Sequence, residues 1–320
     1  MIQALSSRAG RTPEESKETA SPLKAVKRSG PVHPARTDPA KKRLVVTADD
    51  FGAAFEVNEA VEQAHCDGIL TAASLMVSGA AAHDAIERAR KLPRLGVGLH
   101  IALVEGRPVL SPEQVPALVD EQGLFRSDIL RMAIEIFASP AARRQVAAEI
   151  EAQFAAFAAT GLSLDHVNAH KHFHLHPTIA ATILRIGRRY GMTALRTPIE
   201  PQALLYEIDG TRSSARVETL WARLLRRRIR AAGLSTTDQV FGLAWSGAMT
   251  ADRARGIIDH LPDGLTELYT HPATAPYPGC ASGYDYAGEL AGLMDPAVKE
   301  RIASKRVVLG RFSDFGAPTR

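Results

Sequence analysis

Eleven residues of this chain carry five histidines: His166, His170, His172, His174 and His176, in the run Asp-His-Val-Asn-Ala-His-Lys-His-Phe-His-Leu-His-Pro. The whole chain has eleven. Imidazole is a common ligand for transition metals and a proton carrier near neutral pH. Burying so many rings in a plain core would demand a partner for every nitrogen. The run therefore points to a metal site. Strand alternation and turn geometry cannot aim all five rings at one point. One or two ligands are expected, with the others supporting them or touching substrate. His176, beside Pro177 at a helix start, reads as structural.

Other polar motifs could complete such a site. Asp49-Asp50 follows an apolar run and precedes Phe51-Gly52. A helix cap with a solvated neighbour is the plain reading, but the glycine implies a tight loop. Adjacent carboxylates can also divide labour, one binding a cation and the other serving as base. His100 ends Gly-Val-Gly-Leu-His, and the core reading and the ligand reading weigh equally there. His271 precedes Pro272, which holds it extended. Arg196 ends a further apolar run. One Asp and two His on a rigid scaffold suit a divalent ion that keeps positions open for water or substrate. Such an ion can polarise a carbonyl and acidify water, with a carboxylate as base and a histidine as acid. That chemistry is metal-assisted hydrolysis.

The scaffold must bring these residues together. Strand-like runs fall at Leu44–Thr47, Ala73–Val77, Val97–His100, Leu164–Val167, Ala194–Arg196, Gln239–Gly242, Glu267–Tyr269 and Arg306–Leu309. Helical periodicity falls near 54–67, 80–91, 128–159, 177–190, 215–232, 250–260 and 294–304. The alternation predicts an α/β fold, a (β/α) barrel of parallel strands in residues 43–320. Each polar motif sits at the end of a predicted strand, and in such folds the C-terminal strand ends carry the active site. Long loops are expected at 101–127 and 272–288.

Composition narrows the function. Of 39 Lys/Arg and 35 Asp/Glu, residues 1–43 hold ten and four, leaving 29 basic and 31 acidic residues beyond. The basic pI of about 9.1 thus belongs to a tail, and no basic groove for nucleic acid is expected. Residues 1–42, rich in Ser, Pro, Lys and Arg, read as a disordered basic tail. Two cysteines, Cys66 and Cys280, cannot form a disulfide framework, so a reducing compartment is the default. No stretch has the length of a membrane span. Residues 220–232 are amphipathic, with Leu220, Trp221, Leu224, Leu225 and Ile229 on one face and Arg223, Arg226, Arg227 and Arg230 opposite. The favoured reading is a barrel helix with its stripe in the core. The rival is a helix lying on an anionic membrane.

The motifs Thr-Ala-Asp-Asp-Phe-Gly, Gly-Leu-His, Asp-His-Val-Asn-Ala-His-Lys-His-Phe-His-Leu-His-Pro and Tyr-Thr-His-Pro-Ala resemble, in order and spacing, the YdjC-like carbohydrate deacetylases. That family includes the chitooligosaccharide deacetylases. The segments beginning at Gly68, Val104 and Phe241 are most similar to its hopanoid-biosynthesis-associated branch, HpnK. The resemblance implies a distorted TIM-like barrel and N-deacetylation of an acetylated amino sugar. It implies metal binding by Asp50, His100 and His170, with Asp49 as general base. Magnesium is the metal the family implies, whereas two imidazoles and one carboxylate suit zinc or another transition metal better. Asn168 departs from the aspartate that many relatives carry two residues before the ligand histidine.

On this reading His271 protonates the leaving amine, with His172 or His174 as substitutes, and Arg196 orients a substrate oxygen or pairs with Asp49. Arg196, His172 and His174 are the expected substrate contacts. The expected substrate is N-acetylglucosaminyl-hopanoid, with a free chitooligosaccharide as the alternative. A metal-dependent phosphoesterase and a non-catalytic sugar-binding barrel are weaker readings. Two further partners stay open: a membrane surface, met through the tail and residues 220–232, and a second copy of the chain in a homodimer. The expected location is cytoplasmic, with peripheral attachment at the inner face of the membrane as the alternative.

Overall fold

The computed structural model describes residues 42–212 and 216–316, except for the side chains of 216–218. Residues 1–41, and with them the expected tail, lie outside the described residues. Seven strands form the sheet: β1 Lys42–Phe51, β2 Ala72–Leu75, β3 Gly96–Ile101, β4 Val167–Ala169, β5 Gln239–Phe241, β6 Gly264–Thr270 and β7 Val308–Leu309. The helices are α1 Phe55–Cys66, α2 Ala82–Lys91, α3 Ile129–Ala138, α4 Pro140–Ala159, α5 Pro177–Gly187, α6 Gln202–Asp209, α7 Arg216–Ala231, α8 Ala251–Asp259, α9 Tyr286–Met294, α10 Pro296–Ser304 and α11 Phe312–Phe315.

All strand pairings are parallel, in the order β4-β3-β2-β1-β6-β5, with β7 beside the start of β1. Parallel bridges carry the sheet past β4. Val167 pairs with Leu195, and Ala194 pairs with Ser235, just upstream of β5. The strands thus curl into a distorted barrel with helices outside, as the β/α alternation predicts. Every residue of β2 and β3 is buried, as are Leu44–Asp49 of β1, which explains their unbroken apolar runs. One glycine is dictated by packing. A Cβ on Gly98 would lie 2.5 Å from the His166 ring, so only glycine lets that ring sit against β3. His166 is fully buried there, bonded to Ser74 and Asp165 and stacked on Phe312.

Several local expectations need correction. The 128–159 stretch is two helices, because Ser139 caps α4 and Pro140 occupies its first turn. Residues 194–196 pair only through isolated bridges. Helices α6 and α9 fall where no helix is predicted. In α7 the apolar residues do not share one buried stripe. Ala222, Leu225 and Ile229 face the core, while Leu220, Trp221 and Leu224 are exposed.

Candidate active site

The polar strand ends meet at one cavity of about 800 Å³, lined by Asp49, Asp50, His100, Glu105, His170, His172, Tyr269, His271 and Tyr284 among others. Backbone irregularity aims them there. Consecutive strand residues normally point to opposite faces. At the end of β1 the register with β2 slips between Ala48 and Phe51, and Asp50 takes a left-handed conformation (φ 63°), so both aspartates line the cavity. Asn58 fixes this turn by accepting from the Gly52 amide at 2.8 Å. After β4, Lys171 and His172 are also left-handed, and His170, Lys171 and His172 all line the wall. Four of the five left-handed non-glycine residues among those described (Asp50, Glu105, Lys171 and His172) border this one cavity. Such clustering is characteristic of functional sites.

At the floor, three atoms converge. Asp50 Oδ1 lies 3.2 Å from His100 Nε2 and 3.1 Å from His170 Nδ1, and the two ring nitrogens are 3.3 Å apart. Among the described residues this is the one group with the donors for a metal ion. Bonds of about 2.0–2.2 Å from one cation set neighbouring donors about 2.8–3.6 Å apart for angles from about 90° to tetrahedral, so the spacing fits. The tautomer fits too. The Nδ1–H of His100 donates to Asn168 Oδ1 at 2.6 Å, leaving Nε2 as a lone pair toward the cluster. Electrostatics agree. Burial disfavours charge on both His170 and Asp50, yet their mutual attraction outweighs it. Asp50 and Glu105 raise the His170 pKa to about 10 against its burial, while Asp50 lies well below the usual carboxylate range. The site is built for positive charge.

Asp49 stands beside the cluster, fixed by other bonds. Arg196 donates to its two oxygens at 2.6 and 2.9 Å, and Asn168 Nδ2 donates to Oδ1 at 3.1 Å. Burial pushes the Asp49 carboxyl up, but Arg196 and, more weakly, His100 and His271 hold it ionised, well below its ordinary value. Arg196 also donates to Glu267, and its guanidinium lies over the Tyr269 ring. Of the two roles expected for Arg196, the structure shows the pairing with Asp49. Its side chain is fully buried and does not line the cavity.

His174 is likewise buried behind the wall, bonded through Nε2 to the Arg196 carbonyl, and it makes no contact with the cavity. Burial and the neighbouring Arg196 charge push its pKa down to about 3. His172 does line the cavity, with Nε2 3.1 Å from the Tyr269 hydroxyl, and burial pushes it well below its ordinary value too. His271 lines the cavity as well, its ring between Tyr269 and Tyr284 and its backbone N–H donating to Glu289. His176 bonds to the Ala133 carbonyl, the structural place expected for it.

Sequence reasoning missed five contributors. Glu105 meets His170 Nε2 at 3.4 Å and pairs with Lys171. Glu267 is fully buried under Arg196. A charged residue inside the run Leu265–Tyr269 was the available signal for it. Tyr277 and Tyr284, from the loop expected at 272–288, and Tyr286, which opens α9, also line the cavity.

Comparison with known proteins places the chain among carbohydrate deacetylase relatives. A carbohydrate deacetylase of Geobacillus stearothermophilus is 32% identical over 278 residues, covering 85% of this chain and 97% of that protein. The human carbohydrate deacetylase is 30% identical over 303 residues, covering 86% and 91%. A crystal structure from Enterococcus faecalis, described as a candidate cellobiose-phosphate cleavage protein, superposes with a TM-score of 0.69. It is 25% identical and covers 87% of this chain and 100% of its own. The profile of the YdjC-like proteins matches residues 43–304, and the chain belongs to that family.

Proposed function

We propose that this protein is a metal-dependent carbohydrate deacetylase that hydrolyses the acetamide of an N-acetylated amino sugar. The observation that carries the reading is the triangle of Asp50, His100 and His170 donor atoms beside an ionised, immobilised Asp49 at the base of an open cavity. A divalent ion held there would supply Lewis acidity to the acetyl carbonyl and to a water. Asp49 takes a proton from the attacking water, whose oxygen joins the carbonyl carbon. His271 gives a proton to the sugar nitrogen as the C–N bond breaks, releasing acetate and the free amine. His271 is preferred as acid because His174 does not reach the cavity and both His172 and His174 are held neutral. Arg196 and Asn168 act on Asp49 by fixing its orientation and charge. Two imidazoles and a carboxylate favour zinc or another transition metal over magnesium.

The finer reading, that the sugar is N-acetylglucosamine carried on a hopanoid, is supported by an apolar groove of about 680 Å³ beside the cavity. Ile129, Ala133, Phe173, Leu175 and Trp221 line it, and Lys171 and His172 border both spaces. A polar cavity and an apolar groove bordered by the same two residues suit an amphiphilic substrate. Mass spectrometry of the metal-loaded enzyme with N-acetylglucosaminyl-hopanoid is expected to show loss of one acetyl group. Turnover of free chitooligosaccharides with none of the lipid-linked sugar would refute the hopanoid reading and leave the deacetylase reading intact.

A further inference from the structure

Helix α3 is apolar on its outward face as well as its inward one. Met132 and Ile136 pack inward, but Leu130, Ile134 and Phe137, spaced four and three residues apart, are 72%, 61% and 69% exposed. One helical face toward solvent normally carries charge. Beside it, α7 exposes Leu220, Trp221 and Leu224 at 59%, 44% and 40%. Both helices line the groove, to which Ile134, Phe137 and Trp221 all contribute. Helical spacing places Arg223, Arg227 and Arg228 around Leu220 and Leu224 on the outward side of α7. All three are exposed and have no carboxylate partner among the described residues. The neighbouring Arg230 is neutralised by Asp238. Large apolar side chains ringed by unpaired arginines, with a tryptophan at the margin, are the composition of a surface that sits in a lipid headgroup layer.

We infer that the outer face of α3 and α7 docks on an anionic lipid bilayer and presents the cavity mouth to it. Charge selects the occupant. A second copy of the chain would bring the same arginines against themselves, whereas anionic headgroups complement them and the apolar residues enter the acyl boundary. Lys171 and His172 border both the groove and the catalytic cavity, so docking sets the mouth beside the headgroups. The inference goes beyond the deacetylase reading and does not rest on it.

The test is vesicle binding by the full chain, with no sugar substrate present, so that its outcome is separate from any assay of deacetylation. The chain has two tryptophans, and Trp245 is buried at 2% exposure, so a change in emission reports Trp221. Vesicles of phosphatidylcholine with phosphatidylglycerol are expected to bind the protein and shift its emission to the blue, while pure phosphatidylcholine binds far less. The triple variant R223Q/R227Q/R228Q is expected to bind roughly a hundredfold more weakly. The double variant I134S/F137S should lose roughly tenfold or more. Absence of binding to anionic vesicles overturns the inference, as does binding undiminished in either variant. So does self-association in light scattering that I134S/F137S abolishes, if no vesicle binding accompanies it.

Discussion

The guanidinium of Arg196 grips the carboxylate of Asp49 through two parallel hydrogen bonds, with both side chains out of solvent. The same guanidinium is held from its other edge by Glu267, itself fully buried. One cation therefore serves two buried carboxylates, and the carboxylate nearer the cavity has its orientation fixed before any substrate enters. Immobility of this kind is what a base needs if the attacking water is to be aligned without reorganisation.

Removing Arg196 strands two buried charges. Arg196→Gln should lower stability by about 3–5 kcal/mol, the usual effect of breaking a buried pair. Arg196→Lys should also be destabilised, because a single ammonium cannot reproduce the planar fork. Denaturant unfolding of both variants checks this. A midpoint equal to wild type in Arg196→Gln would show that the pair is dispensable to the fold.

Asn168 is expected to control metal affinity without touching the ion. Its oxygen fixes the His100 tautomer and its amide nitrogen donates to Asp49 and Ser74. Asn168→Ala should weaken metal binding roughly 10- to 100-fold, as loss of such a supporting bond does elsewhere. Calorimetric titration of zinc into chelator-treated protein measures it. Unchanged affinity would mean that His100 is oriented by other contacts.

Metal binding should stabilise the folded state. Asp50, His100 and His170 come together only when the barrel is formed, so an ion at about a hundred times its dissociation constant adds about 2.7 kcal/mol. Thermal melts should move upward on adding the ion and downward on chelation, and His100→Ala should abolish the response. An equal shift in His100→Ala would place the ion elsewhere.

Asp165 supplies a pH-dependent tie at the other end of the barrel. It is buried and accepts from the amides of Phe312 and Ser313 and from His166. Burial pushes its carboxyl up, but His166 and Ser313 outweigh burial and leave it below its ordinary value. A depressed carboxylate contributes stability that is present above the unfolded pKa, about 3.9. That contribution fades as pH falls through the lower folded value. The stability gap between wild type and Asp165→Asn should be full at pH 6 and shrink below about pH 4. Urea midpoints across that range test it, and a gap that widens in acid would contradict the assignment.

Much of this site is legible in the chain because its candidate ligands stand at strand ends. Asp49-Asp50, His100, the histidine run and His271 each close an apolar segment, and parallel β/α topology then dictates where they meet. What periodicity cannot reveal is direction. Alternation would aim Asp49 and Asp50 apart, and only the slipped register and the left-handed Asp50 bring both to the cavity. His172 and His174 are chemically alike and two residues apart, yet the turn after His170 sends one to the cavity and the other behind its wall. Glu105, in a loop without period, gives no signal in spacing. The α3–α4 boundary could have been read from Ser139-Pro140. The outward apolar face of α3 could not, and for α7 the pattern left a core stripe and a membrane-lying face both open, since hydrophobic pattern does not say which residues a core has room for.

The most direct measurement is acetate release from an N-acetylated amino sugar by chelator-stripped protein reconstituted stepwise with a divalent ion. Activity is predicted to rise to a plateau at one ion per chain in wild type and to stay at background in Asp50→Ala. Full activity in the stripped protein, or recovery in Asp50→Ala at the same single equivalent, would contradict the claim that Asp50, His100 and His170 together hold the ion the reaction needs.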